Sequence, residues 1–154
     1  MALNDKGNVV GLLRMPAAIH GNDHVIVDGA QVAAFLRHWD PALIVVEDVY
    51  SSPQMGVVGA FSFGASKGVL LGVIGTLGME ARTIWPSPVG WKGKLGLLLG
   101  PNTLSKAQRR KALKKLSIAK AQRMFPGIKD MAHDGIAEAA LLAAFGLLTA
   151  RRGR

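Results

Sequence analysis

An α/β fold built on a mixed sheet is what this 154-residue sequence predicts, and three observations predict it. Residues 1–27 alternate short apolar runs with turn clusters, the pattern of antiparallel strands. Leu43-Ile44-Val45-Val46 is an unbroken aliphatic run, as expected of a parallel strand covered on both faces. Long segments of helical character follow it, separated by one further strand pattern. At 49% hydrophobic and 19% charged residues, the chain has material for a real core and is not a disordered polyelectrolyte. No linker-rich stretch divides it, so one domain over residues 1–154 is expected. The 19 glycines and 7 prolines follow no fixed period, which excludes collagen-like and solenoid architectures.

Taken in order, Asn4-Asp5-Lys6-Gly7-Asn8 is a hairpin turn, followed by a strand over residues 9–15. A turn there requires a strand before it, for which Met1-Ala2-Leu3 remain. Pro16 and the cluster His20-Gly21-Asn22-Asp23 break the chain, and residues 24–27 form the next strand. Asp28 can cap a helix from Gly29 to about Arg37, stopped by Asp40-Pro41. The 43–46 strand then delivers Glu47 and Asp48 at its carboxyl end.

Residues 55–79 are long and apolar enough to raise a membrane span, but Lys67 stands at the middle and small residues fill the segment. A buried helix closed by Gly78 is the expectation. Gly56, Ala60, Gly64, Gly68 and Gly72 form a ridge at a spacing of four, which predicts close packing against a sheet or a second helix. A strand over 80–85 ends at Pro86, and residues 88–95 make a short helix or loop containing Trp91-Lys92-Gly93-Lys94. The turn Gly100-Pro101-Asn102 precedes a helix over 104–124, stopped by Phe125-Pro126-Gly127. A last helix over about 132–150 runs into the basic tail Arg151-Arg152-Gly153-Arg154.

Charge narrows the function classes. The net charge is +9, yet residues 1–66 hold three Lys/Arg against six Asp/Glu, while residues 67–154 hold sixteen against four. The 104–124 helix carries Lys106, Arg109, Arg110, Lys111, Lys114, Lys115, Lys120 and Arg123 without one acid. Solvated helix faces normally mix signs, so eight like charges predict phosphate neutralisation. Nucleic acid is favoured over an anionic membrane, because no amphipathic aromatic helix accompanies the charge. Lys92 and Lys94 extend the expected DNA contact, and Trp91 is either a stacking platform or a core anchor.

Several chemistries are excluded. The absence of cysteine removes disulfides, thiolate nucleophiles and zinc ribbons, and with no signal-peptide layout at the start it favours a reducing, cytoplasmic setting. Ser51, Ser52 and Ser66 have no histidine and acid at a recognisable spacing, and no phosphate-binding glycine motif is present. Two acidic groups remain. Glu47 and Asp48 end a strand and face opposite sides; Asp48 is the better candidate for a plain loop acid. Asp134 and Glu138 stand four apart at the start of the last helix, with Asp130 and His133 just before them. They either complement the helix dipole or hold a hard divalent ion such as Mg²⁺. His133 reads as a solvated or capping histidine rather than a ligand.

The 43–48 segment, the glycine-ridged helix, Pro86 to Trp91-Lys92, the basic helix ending Phe125-Pro126, and His133-Asp134-Gly135-Ile136-Ala137-Glu138-Ala139 together resemble RuvC-type Holliday-junction resolvases, in particular their phage and prophage branch. The resemblance implies an RNase H-like fold, a homodimer without membrane attachment, and Mg²⁺-dependent (or Mn²⁺-dependent) nicking of branched DNA in a phage-infected or prophage-carrying bacterial cell. It implies Glu47, Asp134 and Glu138 as catalytic metal-binding acids. Asp134 is the looser match, because the spacing of that pair varies in the family. The family's first strand carries an Asp in a Gly-Ile-Asp-Pro-Gly-like segment, and here Ala2–Gly7 matches only the end of that strand and its turn. The expectation is therefore a longer working protein, or a form that binds DNA without cutting it.

Overall fold

The computed structural model describes residues 1–20, 24–52, 54–101 and 104–152. Strand β1 (Ala2–Leu3) pairs antiparallel with β2 (Val9–Gly11). The turn between them is held by the Asn4 side chain, whose Oδ1 accepts from the amides of Lys6 (3.1 Å) and Asn8 (2.9 Å). Gly7 supplies the left-handed step, at φ +89°. Strand β2 stops at Gly11, short of the expected Met15.

A strand not expected from the sequence, β3 (Ala17–His20), pairs antiparallel with β4 (His24–Val27). Its alanines are weak strand formers; the pairing to the aliphatic β4 supplies the strand. The expected turn at Gly21, Asn22 and Asp23 lies outside the described residues. Helix α1 (Gly29–Trp39) starts where the Asp28 carboxylate accepts from the amides of Ala30 (3.0 Å) and Gln31 (3.1 Å). It ends at Asp40, in left-handed conformation before Pro41.

Strand β5 is Ile44–Val45 alone, and it pairs with β6 (Thr83–Ile84). The first half of the expected 80–85 strand coils instead into a 3₁₀ turn, Glu80–Arg82, after Gly78 takes φ +63°. A ladder runs no further than its partner, so the 43–46 run pairs over two residues only. The strands thus form three two-stranded sheets among the described residues, antiparallel and parallel pairs both occurring. The α/β composition holds. A single mixed sheet with a central β5 does not form, and of the run only Ile44 is fully buried.

Helix α2 spans Val57–Thr76 and α3 Pro88–Lys94, the latter with Ser87 Oγ accepting from the Gly90 amide at 3.2 Å. Helix α4 (Lys106–Met124) opens with a capping box in which Ser105 and Gln108 satisfy each other's amides. Asn102 of the expected turn lies outside the described residues. A 3₁₀ turn, Lys129–Ala132, leads to α5 (Asp134–Arg152); Gly153 and Arg154 of the basic tail lie outside the described residues.

The chain divides into two compact units. The first comprises Met1–Leu12, Val45–Glu47 and Trp85–Arg154. Its core is the seam of α3, α4 and α5, where Trp91, Leu97, Ala121, Met131, Ala137 and Leu141 are at most 2% exposed. The second comprises Leu13–Ile44 and Asp48–Ile84, with the β3–β4 hairpin, α1 and α2 packed together. In it only Ile44, Ile74 and Met79 are fully buried among the described residues.

Helix α2 corrects the buried-helix expectation. Ile74 is its one buried residue, whereas Val57 (86% exposed), Val58 (69%) and Leu71 (49%) face outward. A Cβ added at Gly56, Gly64, Gly68 or Gly72 would meet nothing within 4 Å, so the ridge does not pack against a sheet. The close approach occurs at Gly29 instead, where an added Cβ would stand 2.9 Å from Val69 Cγ1 of α2. By length and composition α2 is also the one described helix able to cross a membrane.

Candidate active site and nucleic-acid interface

Glu47, Asp134 and Glu138 all belong to the first unit. Helix α3 holds two of them through neighbouring residues. Trp91 Nε1 donates to Glu47 Oε1 at 2.8 Å, and Lys92 Nζ donates to Glu138 Oε1 at 2.8 Å. The fixed φ of Pro88 and the Ser87 cap start α3 so that Trp91 turns into the core, 1% exposed. Trp91 is thus a core anchor with its polar edge on Glu47, and not a stacking platform for a base. Lys92 lies 5.0 Å from the centre of the same indole, so packing fixes the ammonium as well as its carboxylate partner.

Helix α4 contributes from the other side. Ser117, its buried polar residue, places Oγ 3.5 Å from Glu138 Oε1, and Lys114 forms an ion pair with Asp134. That ammonium holds the Asp134 carboxyl below its ordinary value, helped by the Gly135 amide, which donates to Oδ1 at 3.0 Å. His133 is exposed, with Nδ1 3.8 Å from Asp134 Oδ1, and Asp130 precedes α5 in the 3₁₀ turn. Asp48, which like Glu47 lies beyond the end of β5 and not on the strand, serves a different role in the second unit. It pairs with Lys67 at 2.9 Å and accepts from Tyr50 at 3.1 Å; Lys67 lowers its pKa.

Mg²⁺ can be tested against this arrangement. The three carboxylates are the hard oxygen donors it selects. Among the described residues, however, no three His, Asp or Glu side chains gather into a group able to hold a metal. Protein donors stand on each acid: the indole on Glu47, Lys92 on Glu138, Lys114 on Asp134. As placed, the acids do not form a metal centre among the described residues.

The expected DNA-contact residues separate into groups. Lys106, Arg110, Lys111 and Lys115 are exposed on α4 with no described carboxylate paired to them. Lys92 and Lys114 are committed to Glu138 and Asp134. Arg109 turns back to the carbonyls of Leu99 (2.6 Å) and Gly100 (3.2 Å), fastening the segment that leads into α4. Lys94 lies over the Phe145 ring at 5.3 Å. Sequence reasoning missed Ser117 and the lysine partners of the α5 acids. The signal available for Ser117 and Lys114 was their 3–4 spacing with Ala121, which puts them on the side of α4 that meets α5, with Lys114 at its exposed edge; Lys92 on α3 gave no such signal.

In comparison with known proteins, no family model and no curated protein matches this chain.

Proposed function

We propose that this chain is a structure-selective endonuclease of RuvC type, with RNase H-like ancestry, that nicks Holliday junctions or other branched DNA with Mg²⁺ or Mn²⁺. The observation that carries the reading is the meeting of Glu47 and Glu138 on adjacent residues of α3, with Asp134 one turn from Glu138 and the acid-free helix α4 alongside. Acids that must work on a polyanion need cations around them, and here Lys92 and Lys114 reduce the repulsion a phosphate would meet. The exposed lysines of α4 would take neighbouring phosphates.

A homodimer belongs to the same proposal. Val57, Gly64, Gly68, Leu71 and Gly72 share the open face of α2, and the glycines let a second copy of that helix approach closely. A membrane is the poorer cover, because Lys67 and its Asp48 partner are tied to the middle of the helix. The cytoplasm of a bacterial cell carrying phage DNA is the proposed setting.

A second reading is a DNA-binding module of the same ancestry without cleavage. The lysines standing on both α5 acids favour it. The experiment that decides is incubation of a labelled four-way junction and a matched linear duplex with the protein, with Mg²⁺ or Mn²⁺ added or chelated. Nicks confined to the junction and dependent on the ion support the nuclease; binding without nicks supports the module.

A further inference from the structure

Helix α4 does not present one basic face but two. At about 100° per residue, the pair Lys111 and Lys115 is centred roughly 130° around the helix from the pair Lys120 and Arg123, with Lys115 and Arg123 about 80° apart. Lys114 faces Asp134 on the first side. On the second side, Lys120 and Arg123 join Lys94 of α3 around an open pocket of about 390 Å³, whose remaining walls are Leu95, Met124 and Leu148. All six residues belong to the first unit. No carboxylate lines the pocket, and no described acid pairs with any of its three cations. Arg123 and Lys94 stand in the last turns of α4 and α3, where helix dipoles tolerate cations. That explains why two positive charges sit there, but not why a third, Lys120, is brought beside them.

We propose that Lys94, Lys120 and Arg123 form a second phosphate site, which holds the phosphodiester backbone of DNA away from the carboxylates. Ten residues of α5 separate Glu138 from Leu148, a rise of about 15 Å. One strand of duplex DNA carries a phosphate about every 3.4 Å of axis, so a DNA engaged at Glu138 has phosphates several nucleotides away that can reach the pocket. Lysine stems can lie along Leu95, Met124 and Leu148 while their ammonium groups swing to a phosphate, Lys94 leaving the Phe145 ring over which it rests, and Arg123 can fork onto two phosphate oxygens. This inference rests on the reading of the chain as a DNA-binding protein and adds a site to it.

The test compares the full chain with two double variants, Lys120→Ala/Arg123→Ala and Lys111→Ala/Lys115→Ala, on a long-armed four-way junction over a salt series. Circular dichroism confirms that each variant keeps its helices. Each phosphate contact contributes about 0.9 to the slope of log K against log salt, so the Lys120/Arg123 variant should shallow that slope by up to about 1.8. The same variant should leave a duplex too short to span the two sites bound as the unaltered chain binds it. An unchanged junction slope in that variant, with the Lys111/Lys115 variant shallowed, would overturn the second site while the DNA reading stands. No salt-dependent DNA binding by the unaltered chain would overturn both. Binding to anionic phospholipid vesicles that depends on Lys120 and Arg123, with junction binding unchanged, would assign the pocket to lipid headgroups and also overturn it.

Discussion

Asp28 and Gly29 show how two adjacent residues set the start of a helix by different physics. Asp28 caps α1, and the Gln31 side chain, donating to its carboxylate at 2.8 Å, holds its pKa below the ordinary value. A depressed carboxyl stabilises the fold above its unfolded pKa of about 3.9, and that contribution is lost as pH falls through the lower folded value. Asp28→Ala should therefore lower the melting temperature by a few degrees at neutral pH, and the difference from the parent should shrink in acid below pH about 4. Thermal melts across pH check both statements. Gly29 fails for steric reasons when replaced: a methyl group 2.9 Å from the stiff, β-branched Val69 must push α1 from α2. Gly29→Ala should cost about 1–3 kcal/mol by chemical denaturation, more than the same change at Gly68, where space is open. The cap was legible in the sequence because it is local. The tight glycine was not, since which glycine meets a neighbour depends on pairing across forty residues of chain.

Helix α2 was only partly legible in the sequence. Its ends were readable from composition and from Gly78, but its surroundings were not, because an apolar helix looks alike in sequence whether a core, a bilayer or a partner covers it. The structure leaves Val57, Val58 and Leu71 outward and the glycine positions open. Gly64→Leu should thus leave monomer helicity intact yet block close approach of a second copy. Sedimentation should show a dimer for the parent chain and a monomer for the variant. An unaltered mass would mean that this face of α2 is not the interface. The strand pattern failed for a related reason. The 43–46 run carries strong strand propensity, but β6 offers only two residues to pair with, and propensity alone does not extend a ladder.

For the whole molecule, segments far apart in the sequence come together: the acids Glu47, Asp134 and Glu138 and the basic helix α4 fall in one compact unit. The positions of the acids could be singled out in the sequence, while their lysine and indole partners required the packing of α3 and α4 against α5. Replacing Lys111, Lys114 and Lys115 with Glu should abolish branched-DNA binding, which in the parent should weaken by about 10³-fold or more from 50 to 200 mM salt if about six phosphates are engaged. Junction affinity that survives in the triple variant would show that the phosphates are held elsewhere. The most direct measurement of the central claim is junction binding and Mg²⁺-dependent nicking by the parent and by Glu47→Gln, side by side. The account predicts junction-selective binding by both proteins, equal or tighter in Glu47→Gln because a charge repelling the phosphate is gone, with any Mg²⁺-dependent nicks of the parent confined to the junction and lost in the variant. Nicking by Glu47→Gln at the parent's rate, or cutting that ignores the branch, would contradict it.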